Sequence, residues 1–378
     1  MLWKLPAIKP QREGRQYDVV VVGASISGLV CTLKLVEDGL NVALVESSVF
    51  PGSGDSGRGS LSCTLGLTDN IWRLSQSLGT ERLLELLNIQ NEALNWLKTQ
   101  LHITPKGSYH LAMSAREEEE LFESADLLEQ AGFKVERCEA QRCSEQLGIE
   151  LNFGGYYRQA DGFLNPVDVF SKLLEGISTA ATFPQTTVLD IHSSNSGFTV
   201  HTSREQLNTE LVVICAGLGS RAIDPFFEER LSSVRTQYTT FQAPHKLTDE
   251  LFEAQYGYQQ WFKQQNALVF SGCRWATPHL EIGEETELLS PAISKAQERS
   301  VRKMYPGTGS KQNEWSLLQT HTCDGLPFVG GLPGRDNLLT VCGFQGKQGS
   351  LGIGSALALC NALTGDGSIP YWLQARRF

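Results

Sequence analysis

A mixed α/β architecture, with a parallel-sheet unit interleaved with an antiparallel β-sheet unit, is predicted for this 378-residue chain by three observations. Strand–turn–helix material lies near both ends of the chain. A further buried strand ending in a glycine turn lies near its middle, around residues 211–217. Stretches with the alternation of antiparallel strands are inserted twice between these blocks, so the pieces do not read as two beads on a string. With 41% hydrophobic residues the chain can bury a sizeable core, and its length fits two domains or one large one.

The first block is YDVVVVGASISGLVCTLKLVEDGLNVALVES, Tyr17 to Ser47. Val19–Val22 is an unbroken β-branched run, as in a strand buried on both faces. Gly23-Ala24-Ser25-Ile26-Ser27-Gly28 then turns the chain into a helical apolar pattern through Leu29, Leu33 and Val36. Gly39 ends that helix, and Asn41–Val45 forms a second strand closing on Glu46 and Ser47. Each piece suits a dinucleotide. Gly23 permits the tight turn, and Gly28 lets the helix pack closely on the sheet. Backbone N–H groups at the helix start face a pyrophosphate, aided by the helix dipole. Glu46, about 20 residues after the turn, is placed to accept from a ribose hydroxyl. Ser25 occupies the position of the pattern's middle glycine, and its small side chain is expected to crowd the phosphates only modestly.

The remaining elements follow in order. A glycine- and serine-rich loop runs from Pro51 to Cys63, with helices from Asn70 to Leu78 and from Glu81 to Thr99. Gly107–Ser114 alternates like a strand, and Ala115–Ala131 returns to helix. Its run Arg116-Glu117-Glu118-Glu119-Glu120 is read as the first turn and solvated face. Next come a strand, an Asp161-Gly162 turn and a helix entered through Pro166. Thr182–Ile214 is hairpin material followed by one buried strand, Leu211–Cys215, which runs into Ala216-Gly217. Strands are expected at Val234–Ala243, Tyr256–Phe262 and Ala267–Gly272, and a helix at Pro291–Met304. Trp315–His321 and Leu338–Cys342 are strands, and Gly343–Gly349 opens a last helix to Leu363.

A net charge of −10 and a pI near 5.3 argue against nucleic acid and anionic membrane surfaces as partners. Nine cysteines, an odd number without C-x-x-C spacing, indicate neither a disulfide framework nor a metal site. Cys138 and Cys143 are included in that reading, and free thiols of a reducing, cytoplasmic compartment are expected. MLWKLPAIKPQREGRQ has no signal-peptide apolar stretch, and no window reaches the roughly 18 apolar residues of a membrane span.

Four more stretches carry a family likeness: GSGDSGRGS (Gly52–Ser60), DGFLNP (Asp161–Pro166), VVICAGLGS (Val212–Ser220) and CDGLPFVGGLPGRDNLLTVCGFQGKQGSLGIGSALALCNALTG (Cys323–Gly365). Together with the first block, they resemble the D-amino acid oxidase superfamily of FAD oxidoreductases, on the branch of glycine oxidase, sarcosine oxidase and γ-glutamylputrescine oxidase. The likeness covers nearly the whole chain. It implies a glutathione-reductase-type Rossmann domain for FAD at 1–86, 153–230 and 321–378, and an antiparallel substrate domain at 87–152 and 231–320. FAD is implied to contact Gly23, Ala24, Ser25, Ile26, Ser27, Gly28, Glu46, Ser47, Ser56, Gly57, Arg58, Gly59, Ser60, Val188, Ala216 and Gly217. At the C-terminal loop it is implied to contact Gly343, Gln345, Gly346, Lys347, Gln348, Gly349 and Ser350. Lys347 and the helix start behind it would neutralise the electron-rich edge of reduced flavin. Relatives usually have histidine there, so only the cofactor role is carried over. Sarcosine oxidases attach flavin through a cysteine where this chain has Leu317, so FAD is expected to be noncovalent.

The same likeness shows what is missing from the substrate site. Amino acid oxidases of this type anchor a carboxylate with an arginine in W-x-x-x-R-P-x-T-x-D-G; here WSLLQTHTCDG has Gln319 at that position. Glutamine cannot form the charged fork, which favours the amine-oxidising branch, with Arg274 as an alternative anchor. The expected pocket comprises Tyr256, Tyr258, Trp261, Arg274, Gln319, Trp315 and His321. His110 and His321 are read as structural histidines. The lysine that sarcosine oxidases place near flavin is absent from NALVFSGC (Asn266–Cys273), which leaves open a slow reaction with oxygen. The expected reaction is hydride transfer from a carbon next to nitrogen, giving an imine and, with O2, H2O2. A dehydrogenase using another acceptor, and a weakly active flavoprotein working with a protein partner, are the alternatives.

Overall fold

The structure is a computed structural model describing residues 5–9, 16–194 and 197–378. Residues 1–4 and 10–15, part of the segment read as lacking a signal, lie outside the described residues, as do 195–196 within the hairpin stretch. The chain passes back and forth between two compact units. It begins in a parallel-sheet unit with β1 (Gln16–Val22), α1 (Ile26–Glu37) and β2 (Val42–Val45). The second unit then receives α2 (Ile71–Leu78), α3 (Thr80–Thr99), β3 (Ser108–Leu111), α4 (Ala115–Gln130), β4 (Glu136–Cys138), α5 (Ala140–Leu147) and β5 (Gly155–Arg158). The chain returns through α6 (Pro166–Gly176), β6 (Ala181–Phe183), β7 (Val188–Ser194), β8 (Gly197–Thr202) and β9 (Gln206–Ile214). It leaves again along β10 (Leu231–Gln242) for β11 (Leu251–Ala254), β12 (Gln259–Gln264), β13 (Ala267–Gly272) and α7 (Pro291–Met304). β14 (Lys311–Thr322) leads back to β15 (Phe328–Leu332), β16 (Arg335–Cys342) and α8 (Ile353–Thr364).

In the parallel-sheet unit the strand order is β15-β16-β9-β1-β2-β6, with β7 and β8 continuing as a hairpin from β9. β1 pairs in parallel with both β2 and β9, in register Val19↔Val42 and Val19↔Leu211. This central position is why Val19–Val22 is uniformly apolar: a strand flanked on both edges and covered on both faces has no solvent side. The core gathers Val20, Val22, Phe183, Val212, Ile214, Phe227 and Phe328. In the second unit the order is β14-β10-β13-β12-β11-β3-β5-β4, antiparallel except where β11 meets β3. One face of that sheet packs Tyr109, Phe252, Trp261 and Phe270 onto α5 and α7.

The units divide at residues 61/62, 164/165, 233/234 and 318/319. Residues 62–86 and 153–164, assigned above to the FAD domain, therefore group with the antiparallel sheet. The reason is local. Ser62 bridges Phe163, the Cys63 N–H donates to Gly162 O at 2.8 Å, and β5 pairs with β3 and β4. β11 and α5 are elements that the sequence pattern does not signal. β11 has only four residues, and the short, largely polar α5 gives too few turns for a period to emerge.

Three expectations fail for local reasons. Tyr256 and Tyr258 lie in a turn and not in a strand, because Gln255, Tyr256 and Gly257 have φ of 52°, 57° and 79°. The acidic run is not a solvated face throughout. Glu117 is buried and accepts the Met113 and Tyr256 N–H groups at 2.7 and 2.6 Å, while buried Glu120 takes Arg73 and Asn70. Nor are all cysteines free: Cys138, ending β4, and Cys143, in α5, are disulfide-bonded, and the other seven are thiols. Both bonded cysteines are buried in the same core, which brings their side chains together. Among the described residues no helix is long and apolar enough to cross a membrane.

Tyr305 gives the antiparallel unit a pH dependence. Burial pushes its phenol up to about 12, opposed by the hydrogen bond from Trp261 Nε1 at 3.2 Å. A folded pKa raised above 10 contributes stability that is present below about pH 10 and lost as pH climbs toward 12, on the order of 3 kcal/mol. Tyr305→Phe is expected to cost about 1 kcal/mol at pH 8, through the lost bond. It should also flatten the alkaline decline, so the stability gap to wild type closes or reverses by pH 11 in urea unfolding.

Candidate functional site

The nucleotide end is built from the first turn of α1 resting on the ends of β1 and β9. Gly23 has φ of 100°, and a β-carbon there would lie 2.7 Å from Cys215 O. At Gly28 a β-carbon would lie 2.0 Å from Gly23 O, so no side chain is tolerated without moving the helix. Ser25 does more than fill the missing glycine. It is the N-cap of α1, accepting from Gly28 N at 3.3 Å and donating to Cys215 O at 2.9 Å. The loop after β2 folds back onto this helix start. Gly52 N donates to Ala24 O at 2.8 Å, and Ser56 Oγ accepts from Ile26 N at 3.3 Å. A β-carbon at Gly57 would meet Leu5 at 2.5 Å and Gly52 O at 2.6 Å, which keeps this position of the loop free of a side chain. Such a cradle of small residues at a helix N-terminus fits a pyrophosphate.

Glu46 closes β2 beside the same turn. Its Oε2 accepts Ala24 N at 2.7 Å and its Oε1 accepts Ser48 N at 2.8 Å, with Ser47 Oγ at 3.2 Å. Thr186 N donates to Glu46 O, which brings the approach to Val188, the buried first residue of β7, alongside. Arg58 Nη1 reaches Ser53 O at 3.5 Å within its loop, so Arg58, Gly59 and the buried Ser60 stay with the cradle. Ala216 and Gly217 follow β9, and a β-carbon at Gly217 would touch Thr320 Oγ1 at 2.9 Å.

The C-terminal glycine loop belongs to this unit too. Gln345 is buried with φ of 54° and donates through Nε2 to Thr322 Oγ1 at 3.0 Å. Gly343 is needed because a β-carbon there would sit 2.3 Å from Thr322 Cγ2, and a β-carbon at Gly346 would lie 3.1 Å from Gln319 Nε2. The motif threonine, Thr322, therefore packs against this loop and ties it down. Lys347 is buried, and its carbonyl accepts from Leu351 N at 2.8 Å and Gly352 N at 3.3 Å. The second bond spans five residues, so Gln348–Gly352, including Gly349 and Ser350, forms a π-helical turn before α8. Asp55 joins this loop as well, its Oδ2 accepting Gln348 Nε2 at 2.8 Å and Thr320 N at 3.5 Å. Nothing local in the sequence distinguishes Asp55 within a loop of glycines and serines.

The expected substrate residues divide between the units. Gln319 and His321, at the end of β14, lie in the parallel-sheet unit; Tyr256, Tyr258, Trp261, Arg274 and Trp315 lie in the other. Trp261 does not line an open pocket. It is fully buried on the core face, stacked 5.2 Å from Phe252, since a period of two sends it opposite to Gln260. Tyr256 packs its ring 3.9 Å below the Arg73 guanidinium. Trp315 stacks on Tyr238 at 5.2 Å, and Arg274, half-buried, lies 5.4 Å over the exposed Tyr258 ring. Burial lowers the Arg274 pKa, and Tyr258, Glu281 and Tyr238 only partly oppose that. Glu281 is itself held by Arg235 through two bonds of 2.8 and 2.9 Å. Among the described residues Arg274 makes no ion pair.

The sheet face opposite Trp261 carries a polar row that no short motif announces. Tyr156, His110, Glu253, Gln260, Ser271 and Tyr238 stand side by side on six strands. His110 Nδ1 is 3.3 Å from Glu253 Oε2, and its Nε2 is 3.3 Å from Ser108 Oγ. His110 also stacks 4.4 Å from Tyr156, so it is a paired histidine within the sheet. Burial pushes the Tyr156 phenol well up. A cleft of about 1010 Å³ between α3, the end of α4 and β5 contains none of the site residues expected from the sequence.

The cradle generates one direct expectation. Glu46→Ala should weaken FAD binding about ten- to a hundredfold, the worth of a charge-assisted hydrogen bond, as read by quenching of FAD fluorescence on titration into apoprotein. Unchanged affinity would remove Glu46 from the cofactor site.

The chain is 26% identical over 275 residues to the tRNA 5-methylaminomethyl-2-thiouridine biosynthesis bifunctional protein MnmC of Magnetococcus marinus, covering 71% of this chain but only 37% of that protein. It therefore spans little more than a third of that relative's length. It is 24% identical over 349 residues to glycine oxidase of Geobacillus kaustophilus, covering 87% of this chain and 88% of the relative. The crystal structure of glycine oxidase from Geobacillus kaustophilus superposes with a TM-score of 0.77 at 19% identity, over 97% and 100% of the two chains. L-proline dehydrogenase from P. horikoshii shares the fold at a TM-score of 0.81 and 14% identity, over 97% and 98%. The family of FAD dependent oxidoreductases called DAO matches residues 18–364, and with the cradle described above the chain belongs to that family and uses FAD.

Proposed function

We propose that this FAD-dependent oxidoreductase oxidises the C–N bond of a small amine that carries an acidic group, an amino acid being the simplest case. The observation that carries the substrate class is Arg274, a half-buried guanidinium with no acid partner among the described residues. A desolvated cation of this kind is costly until a carboxylate completes it. Its planar fork matches a carboxylate in two hydrogen bonds, which Gln319 at the family's arginine position cannot do. When bound, FAD would supply the two-electron oxidant that accepts hydride from the carbon next to nitrogen, and O2 would reoxidise it to give H2O2. The resulting imine is hydrolysed by water. Arg274 would hold the acid end of the substrate, and alignment contributes more to such a step than a strong base does. Lys347 with the helix start at Gln348 would supply positive charge to the electron-rich edge of a bound flavin. FAD would be held without a covalent link, Leu317 standing where the sarcosine oxidases that the chain resembles have the attaching cysteine.

A second reading concerns only the electron acceptor. β13 contains no lysine, and Val269 and Phe270 on it are fully buried. This favours slow reaction with O2 and use of another acceptor.

Anaerobic addition of amino acids and simple amines to the yellow holoenzyme tests both readings. Amino acids should bleach the flavin band, and rapid recovery in air marks an oxidase, slow recovery a dehydrogenase. Arg274→Met should raise KM for the acidic substrate about a hundredfold, while amines without an acid group are unaffected. Equal loss for both classes, or no bleaching by any of them, would sink the assignment.

A further inference from the structure

Asp55 is used by nothing above, yet it has an unusual position. It sits in the middle of Gly52–Ser60, the loop that cradles α1, and its side chain reaches the other cofactor loop through Gln348 and the end of β14 through Thr320. Residues 293 and 265 positions further along the chain are thus fastened to one carboxylate oxygen. Both donors are neutral, and among the described residues Asp55 makes no ion pair. Arg58, three residues on, turns instead to Ser53 O. The crowding of protein around Asp55 pushes its carboxyl pKa up, with the bonds from Gln348 and Thr320 opposing, and its field in turn adds to the rise at Cys342. A carboxylate held by neutral dipoles keeps its field, because no ion pair cancels it.

We propose that Asp55 is a positioning residue for FAD that clamps the C-terminal glycine loop to the N-terminal one, and that its unpaired negative charge holds the flavin reduction potential down. It thereby opposes Lys347, the residue next to Gln348 on the same loop, and the two set the potential between them. The inference rests on FAD as cofactor and not on the proposed substrate.

The test reads FAD affinity of the apoprotein and the midpoint potential of the holoprotein by dye equilibration, neither of which needs a substrate. Asp55→Asn keeps an acceptor oxygen for Gln348 but loses the charge, so its Kd should stay within about threefold while its potential rises. Asp55→Ala loses clamp and charge, so its Kd should rise about tenfold or more. Gln348→Leu keeps the charge and loses the clamp, giving weaker binding without the upward shift in potential. The proposal is overturned if Asp55→Asn has the wild-type potential, or if Asp55→Ala and Gln348→Leu bind FAD as tightly as wild type. An Asp55→Asn protein that fails to fold would also overturn it, since the charge would then serve the fold. A wild-type enzyme that bleaches with no amine would defeat the substrate assignment and leave these readouts standing.

Discussion

The close approach of α1 to the ends of β1 and β9 is the constraint on which the cofactor unit depends. With 2.0 Å between a hypothetical β-carbon at Gly28 and the Gly23 carbonyl, the helix can sit there only while both positions lack side chains. Everything else in the cradle is referenced to that contact. Ser25 caps the helix and fastens it to Cys215, Gly52 and Ser56 fold the next loop onto its first turn, and Glu46 reaches back to Ala24. The result is a set of backbone N–H groups with the helix dipole behind them, which is the physical basis of phosphate binding in this fold.

The antiparallel unit is organised by a different rule, the two-residue period of its strands. One face is an aromatic and aliphatic core, in which Phe252, Trp261 and Phe270 stack in a row. The other face carries the polar row from Tyr156 to Tyr238, with contacts running across strands. Buried polar groups are tolerated only when paired, so the pairing of His110 with Glu253 and of Glu253 with Gln260 belongs to the stability of this sheet. Arg274, half-buried and without an ion pair among the described residues, lies instead over the Tyr258 ring.

Membership in the FAD-dependent oxidoreductases fixes the type of chemistry, while the chain's own departures from its relatives bear on its specialisation. At the positions singled out by the resemblance the chain carries Gln319 and Lys347, and β13 contains no lysine. Under the proposed function these residues would set where positive charge stands around the cofactor and substrate.

The sequence by itself determined the pieces whose cause is local. Val19–Val22, the glycine turn, the helix after it and Glu46 form one short-range pattern, and β13 and α7 have the bounds that their alternation and proline start indicate. Tertiary structure decided what depends on partners far along the chain. Residues 62–86 follow the antiparallel sheet because Ser62 and Cys63 bond to Phe163 and Gly162, and Trp261 enters the core because the two-residue period of β12 sends it to the face opposite Gln260. Tyr256 leaves the strand through three successive left-handed residues, which its own side chain does not announce. Asp55 gains its hydrogen-bond partners only when Gln348 and Thr320 arrive beside it. A side chain's periodicity is written in its neighbours, but the partner that satisfies its charge is set by the fold.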